Sequence, residues 1–293
     1  MGSILVILSS LGFATLGIFG KVAFAEGFSR NSALFFRFVL ALPFMLLLAG
    51  LRGGPRPPAK TLFVSFALGA VGIGIEASLF FYTLEKLGAA LTGIFLYLYP
   101  AFVVILSHFL GDRMNLRKAL LVTLALLGSV LTSGATEGLP TLEWRGLLGG
   151  VLTGAWYAVY ILTGNRVTRD QDPLWVSTGV VAGSLGVFAI LASFDSGGWA
   201  GAQELIAAGP ARARAWLAIG GLALMATVVP FASLYAGMKQ IGAVRASFLS
   251  TLELVFTVIL ALVFFDEKLT GLQGFGAALI LISVYLTTRH GRE

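Results

Sequence analysis

Ten apolar runs of bilayer length, parted by short polar breaks, are the feature that most limits how this chain can fold. They fall at about 3–24, 31–51, 61–84, 88–109, 118–134, 144–165, 174–194, 215–238, 243–265 and 271–288. A spanning helix uses roughly 20 apolar residues, and each run is close to that length. Lipid offers no partner to backbone N–H and C=O groups, so only helices and closed barrels cross a bilayer. Barrel strands alternate between apolar and polar residues over about ten positions, whereas these runs are continuous. The breaks collect charge, Gly and Pro. The clearest is Arg52-Gly53-Gly54-Pro55-Arg56-Pro57-Pro58, where consecutive prolines cannot continue a helix. The sequence therefore predicts an all-α integral membrane protein with ten transmembrane helices.

Composition narrows the chemistry. Charged residues make up 12% of the chain, about half the ~25% of soluble domains. Ten spans of roughly 20 residues leave only tails and short loops, with no room for a soluble catalytic domain. Cysteine is absent, which excludes disulfides, Fe–S clusters and thiolate chemistry. The only histidines are His108 and His290, too few for a haem pair or a His-rich metal site, so neither metal nor cofactor is expected. The net charge of +6 fits basic cytoplasmic loops better than nucleic-acid binding. The first run could pass for a signal peptide ending at Ala23-Phe24-Ala25. No Lys or Arg precedes it, however, and Lys21 interrupts its end, so cleavage is not expected.

With ten spans, the tails and even-numbered loops share one side. That side holds 12 of the 20 basic residues, among them Arg52, Arg56, Lys60, Arg117, Arg166, Lys239 and Arg245, against 6 on the other. Positive loops stay in the cytoplasm, which predicts both termini inside, in a bacterial inner membrane.

Sliding the chain by 154 residues sets the third to fifth spans on the eighth to tenth without a gap. Over the 25 positions from Gly88 to Asp112, eight residues are identical, including Gly88/Gly242, Ala89/Ala243, Leu98/Leu252 and Asp112/Asp266. The first and sixth spans match weakly, with Phe13 near Trp156. A unit of five spans crosses an odd number of times, so its second copy enters from the opposite face. The predicted organisation is thus two inverted five-helix repeats, residues 1–139 and 140–293, with a substrate site at their interface near the midplane.

These features resemble a known family. The stretch Gly12-Phe13-Ala14-Thr15-Leu16-Gly17-Ile18-Phe19-Gly20-Lys21 lies in the first span. Leu98-Tyr99-Pro100-Ala101-Phe102 with Leu110-Gly111-Asp112-Arg113 pairs with Leu252-Glu253-Leu254-Val255-Phe256 and Phe265-Asp266-Glu267-Lys268. Together they resemble the drug/metabolite transporter superfamily, ten-span EamA type, over the whole chain. The chain departs from the pattern where Leu254 replaces a proline and Phe13 an expected tryptophan. In length and aromatic content it is similar to the exporters of aromatic amino acids, which implies a small-molecule substrate and outward transport.

Side chains that are costly in lipid give candidate site residues. A charge at a helix centre costs at least ~2.5 kcal/mol on insertion scales and marks function by default. Arg37 in the second span and Glu76 in the third differ in depth by only ~3 Å at 1.5 Å per residue. They either pair with each other or serve as gate and substrate contacts. Glu253 lies near the midplane of the ninth span with Tyr99 as its repeat partner. It could meet a substrate amine, carry a coupled proton or bond to a nearby hydroxyl. Lys21 can snorkel to the headgroups, and His108 sits at an interface. Tyr99, Trp156 and Tyr160 lie deep enough to need hydrogen-bond partners; Tyr82 is nearer an interface, where aromatic belts form. Trp156, Tyr160 and Thr163 share a helix face by spacing, and Ser250 adds a hydroxyl. Pro100 and Pro230, with Pro43, interrupt helices and are candidate hinges or static kinks. Gly146, Gly150 and Gly154 form a small-residue row suited to close packing.

The expected function is secondary transport of small metabolites, foremost aromatic or hydrophobic amino acids, by alternating access, not enzymatic catalysis. Proton exchange and facilitated diffusion both stay open, as does the oligomeric state. The alternatives are an intramembrane enzyme acting on lipid or peptide, and a channel. An enzyme would need a Ser–His pair or a carboxylate cluster at one depth. A channel would need a ring of polar residues or a filter loop.

Overall fold

The apolar runs become helices in the computed structural model, which describes residues 1–52, 54–112, 115–133, 143–194, 203, 212–265 and 269–289, with the side chains of 89, 90 and 265 outside that description. The expectations for Arg113, Asp266, Glu267, Lys268 and His290 lie outside the described residues. Helix α1 (Gly2–Ala14) passes through Thr15 into α2 (Leu16–Ala25). The Thr15 hydroxyl donates back to the Gly12 carbonyl at 2.7 Å, which keeps the junction helical. Helix α3 (Arg30–Leu51) starts on Ser29, whose side chain accepts from the Ser32 N–H, the expected N-cap chemistry. Pro43 is absorbed within it.

Helix α4 (Ala59–Ala67) runs through a π-helical turn, Leu68–Ile73, into α5 (Gly74–Leu96). Helix α6 (Tyr99–Phe109) carries Pro100 in its first turn, where a missing N–H does no harm. Helices α7 (Leu116–Thr132), α8 (Trp144–Thr168) and α9 (Pro173–Ser193) follow. Helix α10 (Ala213–Ala223) passes through a second π-helical turn, Leu224–Val228, into α11 (Val229–Ser250). Helices α12 (Leu252–Phe265) and α13 (Gly271–Arg289) complete the described chain. Among the described residues no strand appears.

Eight helical stretches are long and apolar enough to cross a membrane, with Leu252–Phe264 as a shorter apolar helix. Two are longer than a bilayer requires, Ala59–Gly88 with 30 residues and Ala213–Ser250 with 38. The second is bent sharply where Gly242 leaves helical geometry at φ 79°, ψ 163°. Gly88 does the same at φ 77°, ψ 173° within α5. A β-carbon at either glycine would meet nothing within 4 Å, so the backbone angle, not space, demands glycine there. The identity at positions 154 apart thus has a conformational cause.

The outer surface confirms the solvent. Phe63, Leu217 and Val263, each near or within the apolar stretches, are 71%, 74% and 67% exposed. Faces this apolar suit lipid and not water. Between helices the contact rests on small residues, as expected where lipid supplies no hydrophobic drive. A β-carbon added at Gly154 would lie 2.5 Å from the Phe95 carbonyl, and one at Gly150 would run into the Phe95 ring. The predicted glycine row on α8 therefore seats α5 directly against its backbone.

Candidate functional site

A cavity of about 370 Å³ lies among α1–α3, α5, α6, α8, α9, α11 and α12, within the roughly 300–1,000 Å³ of small-molecule sites. Its walls are aromatic. Tyr99 meets Tyr157 edge-on at 4.8 Å between ring centroids, and Tyr157 stacks on Tyr160 at 5.6 Å and 18°. Across the space, Phe38 stacks on Phe188 at 5.5 Å and 5°, while Phe231 sets its edge to both Phe13 and Phe38. Such contacts hold the rings in place and add about 0.5–1.5 kcal/mol each beyond area burial.

The phenols find partners, as buried ones must. Tyr99 donates to the Ser247 carbonyl at 3.1 Å, and Tyr235 donates to the Tyr160 hydroxyl at 3.0 Å, both buried. Tyr97 follows the end of α5, just before α6 begins at Tyr99, and lines the cavity together with Glu253. Glu253 itself is in the first turn of α12, after α11 has ended at Ser250. A helix break in each case turns a side chain into the cavity: Tyr97 and Tyr99 from one, Glu253 from the other.

Three charged groups line this aromatic space: Arg37, Glu76 and Glu253. Arg37 is 6% exposed. Its Nη2 donates to the Ala226 carbonyl at 2.8 Å, and its Nε donates to the Thr227 hydroxyl. Ala226 lies in the π-helical turn just before Pro230, which has no backbone N–H to offer that turn. The guanidinium adds a donor to that turn across 189 residues of chain. Among the described residues no ion pair within 4.0 Å joins Arg37 to Glu76 or Glu253. Of the two readings open for Arg37 and Glu76, a direct pair or separate gate and substrate contacts, the structure shows no direct pair; the guanidinium instead donates to the carbonyl and hydroxyl of the π-helical turn. Both acids are left facing the cavity.

Two segments of the chain, residues 1–134 and 144–289, match the EamA-like transporter family. The chain belongs to the EamA-like transporter family. Its relatives include a protein of Archaeoglobus fulgidus named an uncharacterized transporter, 27% identical over 98% of this chain and 96% of its own. Two proteins of Bacillus subtilis are similar as well: the uncharacterized transporter YcbK, 25% identical over 94% of this chain and 88% of its own, and YyaM, 28% identical over 96% and 92%. A solved crystal structure superposes with a TM-score of 0.80 at 20% identity, covering 99% of this chain and 97% of that one, which establishes the shared fold. The chain is an integral membrane transporter.

The EamA-like cavity gathers some of the residues singled out from sequence and leaves others aside. Arg37, Glu76, Tyr99, Tyr160 and Glu253 all line it. Trp156 does not: its Nε1 donates to the Gly72 carbonyl at 3.0 Å, so the indole ties α8 to the first π-helical turn. Thr163 shares a face with Tyr160 by spacing but lies a turn farther along α8 and is exposed; periodicity gives direction, not depth. Tyr82 is 39% exposed and packs where Gly149 leaves room on α8. Ser250, the last residue of α11, is outside the lining. Pro100 and Pro230 are buried at the starts of α6 and α11. Lys21 is exposed, and His108 is exposed with Nδ1 3.3 Å from the Asp112 carbonyl. Sequence reasoning missed the Phe38–Phe188 pair, Phe231 and Thr227. Only Pro230 offered a signal, since a proline within a span lacks a backbone donor and marks an irregular turn.

Proposed function

We propose that this chain is a secondary carrier exporting small amphipathic metabolites, foremost aromatic or hydrophobic amino acids, by alternating access between two inverted five-helix halves. The observation that carries this reading is the cavity itself: a box of stacked rings with two carboxylates and one guanidinium on its walls. Rings such as Tyr99, Tyr157 and Phe38 house an apolar side chain. Glu253 or Glu76 accepts from a substrate ammonium. Arg37, if it releases the Ala226 carbonyl, donates to a substrate carboxylate, and Glu253 is the natural carrier of a coupled proton.

The inverted-repeat part of the reading is supported by features at corresponding places in the two halves. Gly88 and Gly242, 154 residues apart, share a positive φ. A π-helical turn precedes each of them, and a helix break follows each before Tyr99 and before Leu252. The two family matches divide the chain between residues 134 and 144. At one end α1 packs closely on α11, where a β-carbon on Gly237 would lie 2.8 Å from the Gly2 carbonyl. At the rim of the cavity Leu16, Gly17 and Thr257 are exposed. With both termini in the cytoplasm of an inner membrane, this conformation is closed inward and open outward, and Pro100 and Pro230 stand where the halves would flex.

Counterflow of labelled amino acids in proteoliposomes tests the proposal. Saturable exchange that prefers Phe, Tyr or Trp supports it. Flux that rises linearly with concentration would mark a channel, and a chemically altered substrate an enzyme. Glu253→Gln should slow exchange while the protein still inserts in the membrane, and should flatten its pH dependence if protons are coupled.

A further inference from the structure

A second cavity, of about 130 Å³, lies outside the transport site, where α7, α11 and α13 meet. It is too small for the roughly 300–1,000 Å³ of drug-sized ligands and has the dimensions of a single polar group. Among the described residues its lining holds three cations, Arg117, Lys118 and Arg245, and no carboxylate. Arg117 and Lys118 are in the first turn of α7, where the helix end adds partial positive charge. Arg245 comes from α11, three residues beyond the bend at Gly242, and Thr287 brings a hydroxyl from the last turn of α13. Phe248, 1% exposed, forms an apolar wall behind the charges.

All three cations have protein partners. Arg117 Nη2 donates to the Leu286 carbonyl at 2.7 Å. Lys118 Nζ lies 2.6 Å from Asp112, which is not part of the lining. Arginine has five N–H donors, so Arg117, held to α13 through one of them, keeps donors for an anion. The Arg117 contact also fixes the guanidinium on α13, which lowers the entropy lost on binding. All three cations belong to the face on which the basic loops concentrate, the face that anionic lipids of the cytoplasmic leaflet attract.

We propose that this cleft binds one phosphate group, carried by an anionic phospholipid whose acyl chains lie along the apolar sides of α7 and α13. Occupancy ties three helices together, one from the first half of the chain and two from the second. Inorganic phosphate shares the chemistry and is the second source to separate. The experiment is native mass spectrometry of the full chain released from nanodiscs containing phosphatidylglycerol or phosphatidylcholine. Wild type should retain one phosphatidylglycerol and no phosphatidylcholine. The double variant Arg117→Gln/Arg245→Gln should retain it about 100-fold less well, about tenfold for each charged hydrogen-bond donor lost. A control on the same face, Arg166→Gln/Arg169→Gln, should retain it as wild type does; both residues are exposed and outside the cleft. Phosphatidylglycerol that survives millimolar inorganic phosphate assigns the site to the lipid, whereas displacement by it assigns the site to free phosphate and overturns the lipid. Equal retention of the two lipids, or equal losses in the two double variants, overturns the site altogether. Bound lipid on wild type is read in the same spectra, so a double variant that fails to fold leaves the lipid preference still measurable.

Discussion

Replacing Arg37 by Met should destabilise the protein through the Ala226 carbonyl, and the size of the effect should depend on residue 230. In the wild type the Arg37 guanidinium donates to that carbonyl and to Thr227. Met keeps the length of the side chain but leaves both oxygens without this donor. A buried unsatisfied carbonyl costs about 1–3 kcal/mol. Interhelical hydrogen bonds in membranes average only about 0.6 kcal/mol, with a maximum near 1.7, because the unfolded chain also finds partners. A two-pronged cationic contact belongs at the upper end, so about 1–2 kcal/mol is expected. At about 2–4 °C per kcal/mol for chains of a few hundred residues, Tm in detergent should fall by roughly 2–8 °C. In a Pro230→Ala background the alanine offers that turn a backbone N–H. There Arg37→Met should cost less, with a coupling of at least about 0.5 kcal/mol in the double-mutant cycle. Additive Tm losses would refute the claim that Arg37 adds a donor to a turn to which Pro230 offers none.

Other outcomes follow from single residues. Gly88→Ala and Gly242→Ala should each cost about 1–3 kcal/mol, since a region of φ/ψ space almost confined to glycine is forced on a side chain; a chemical melt in mixed micelles reads this, and unchanged midpoints would show that the bends relax freely. Tyr99→Ala should weaken exchange of aromatic substrates more than of aliphatic ones in counterflow assays, because its ring forms a cavity wall. Trp156→Ala should lower both alike, since that indole holds α8 to the Gly72 carbonyl; selective loss of aromatic substrates would return Trp156 to the pocket. A reporter fused after residue 293 should be active only in its cytoplasmic form, and a periplasmic signal would break the ten-span, inverted arrangement.

The sequence by itself determined the solvent and the helices. Continuous apolar runs with few charges admit no other structure in lipid, because every backbone polar group must be paired within its own segment. It also marked Gly88 and Gly242, whose backbone angles only glycine takes without strain, and it named Arg37, Glu76, Tyr99, Tyr160 and Glu253 by the cost of placing them in hydrocarbon. What it could not supply was which side chains meet. Helical periodicity gives a direction around one axis, so Trp156, Tyr160 and Thr163 read as one stripe, although α8 sends them to a neighbouring carbonyl, the cavity and the exterior. Depth alone left Arg37 either paired with Glu76 or acting as a gate or substrate contact. Tertiary packing brought a π-helical turn nearly 190 residues away, just before Pro230 and its missing N–H, against the guanidinium. A hydrogen-bond deficit is visible in a sequence at the proline that causes it; the residue that fills it is known only once the helices are side by side.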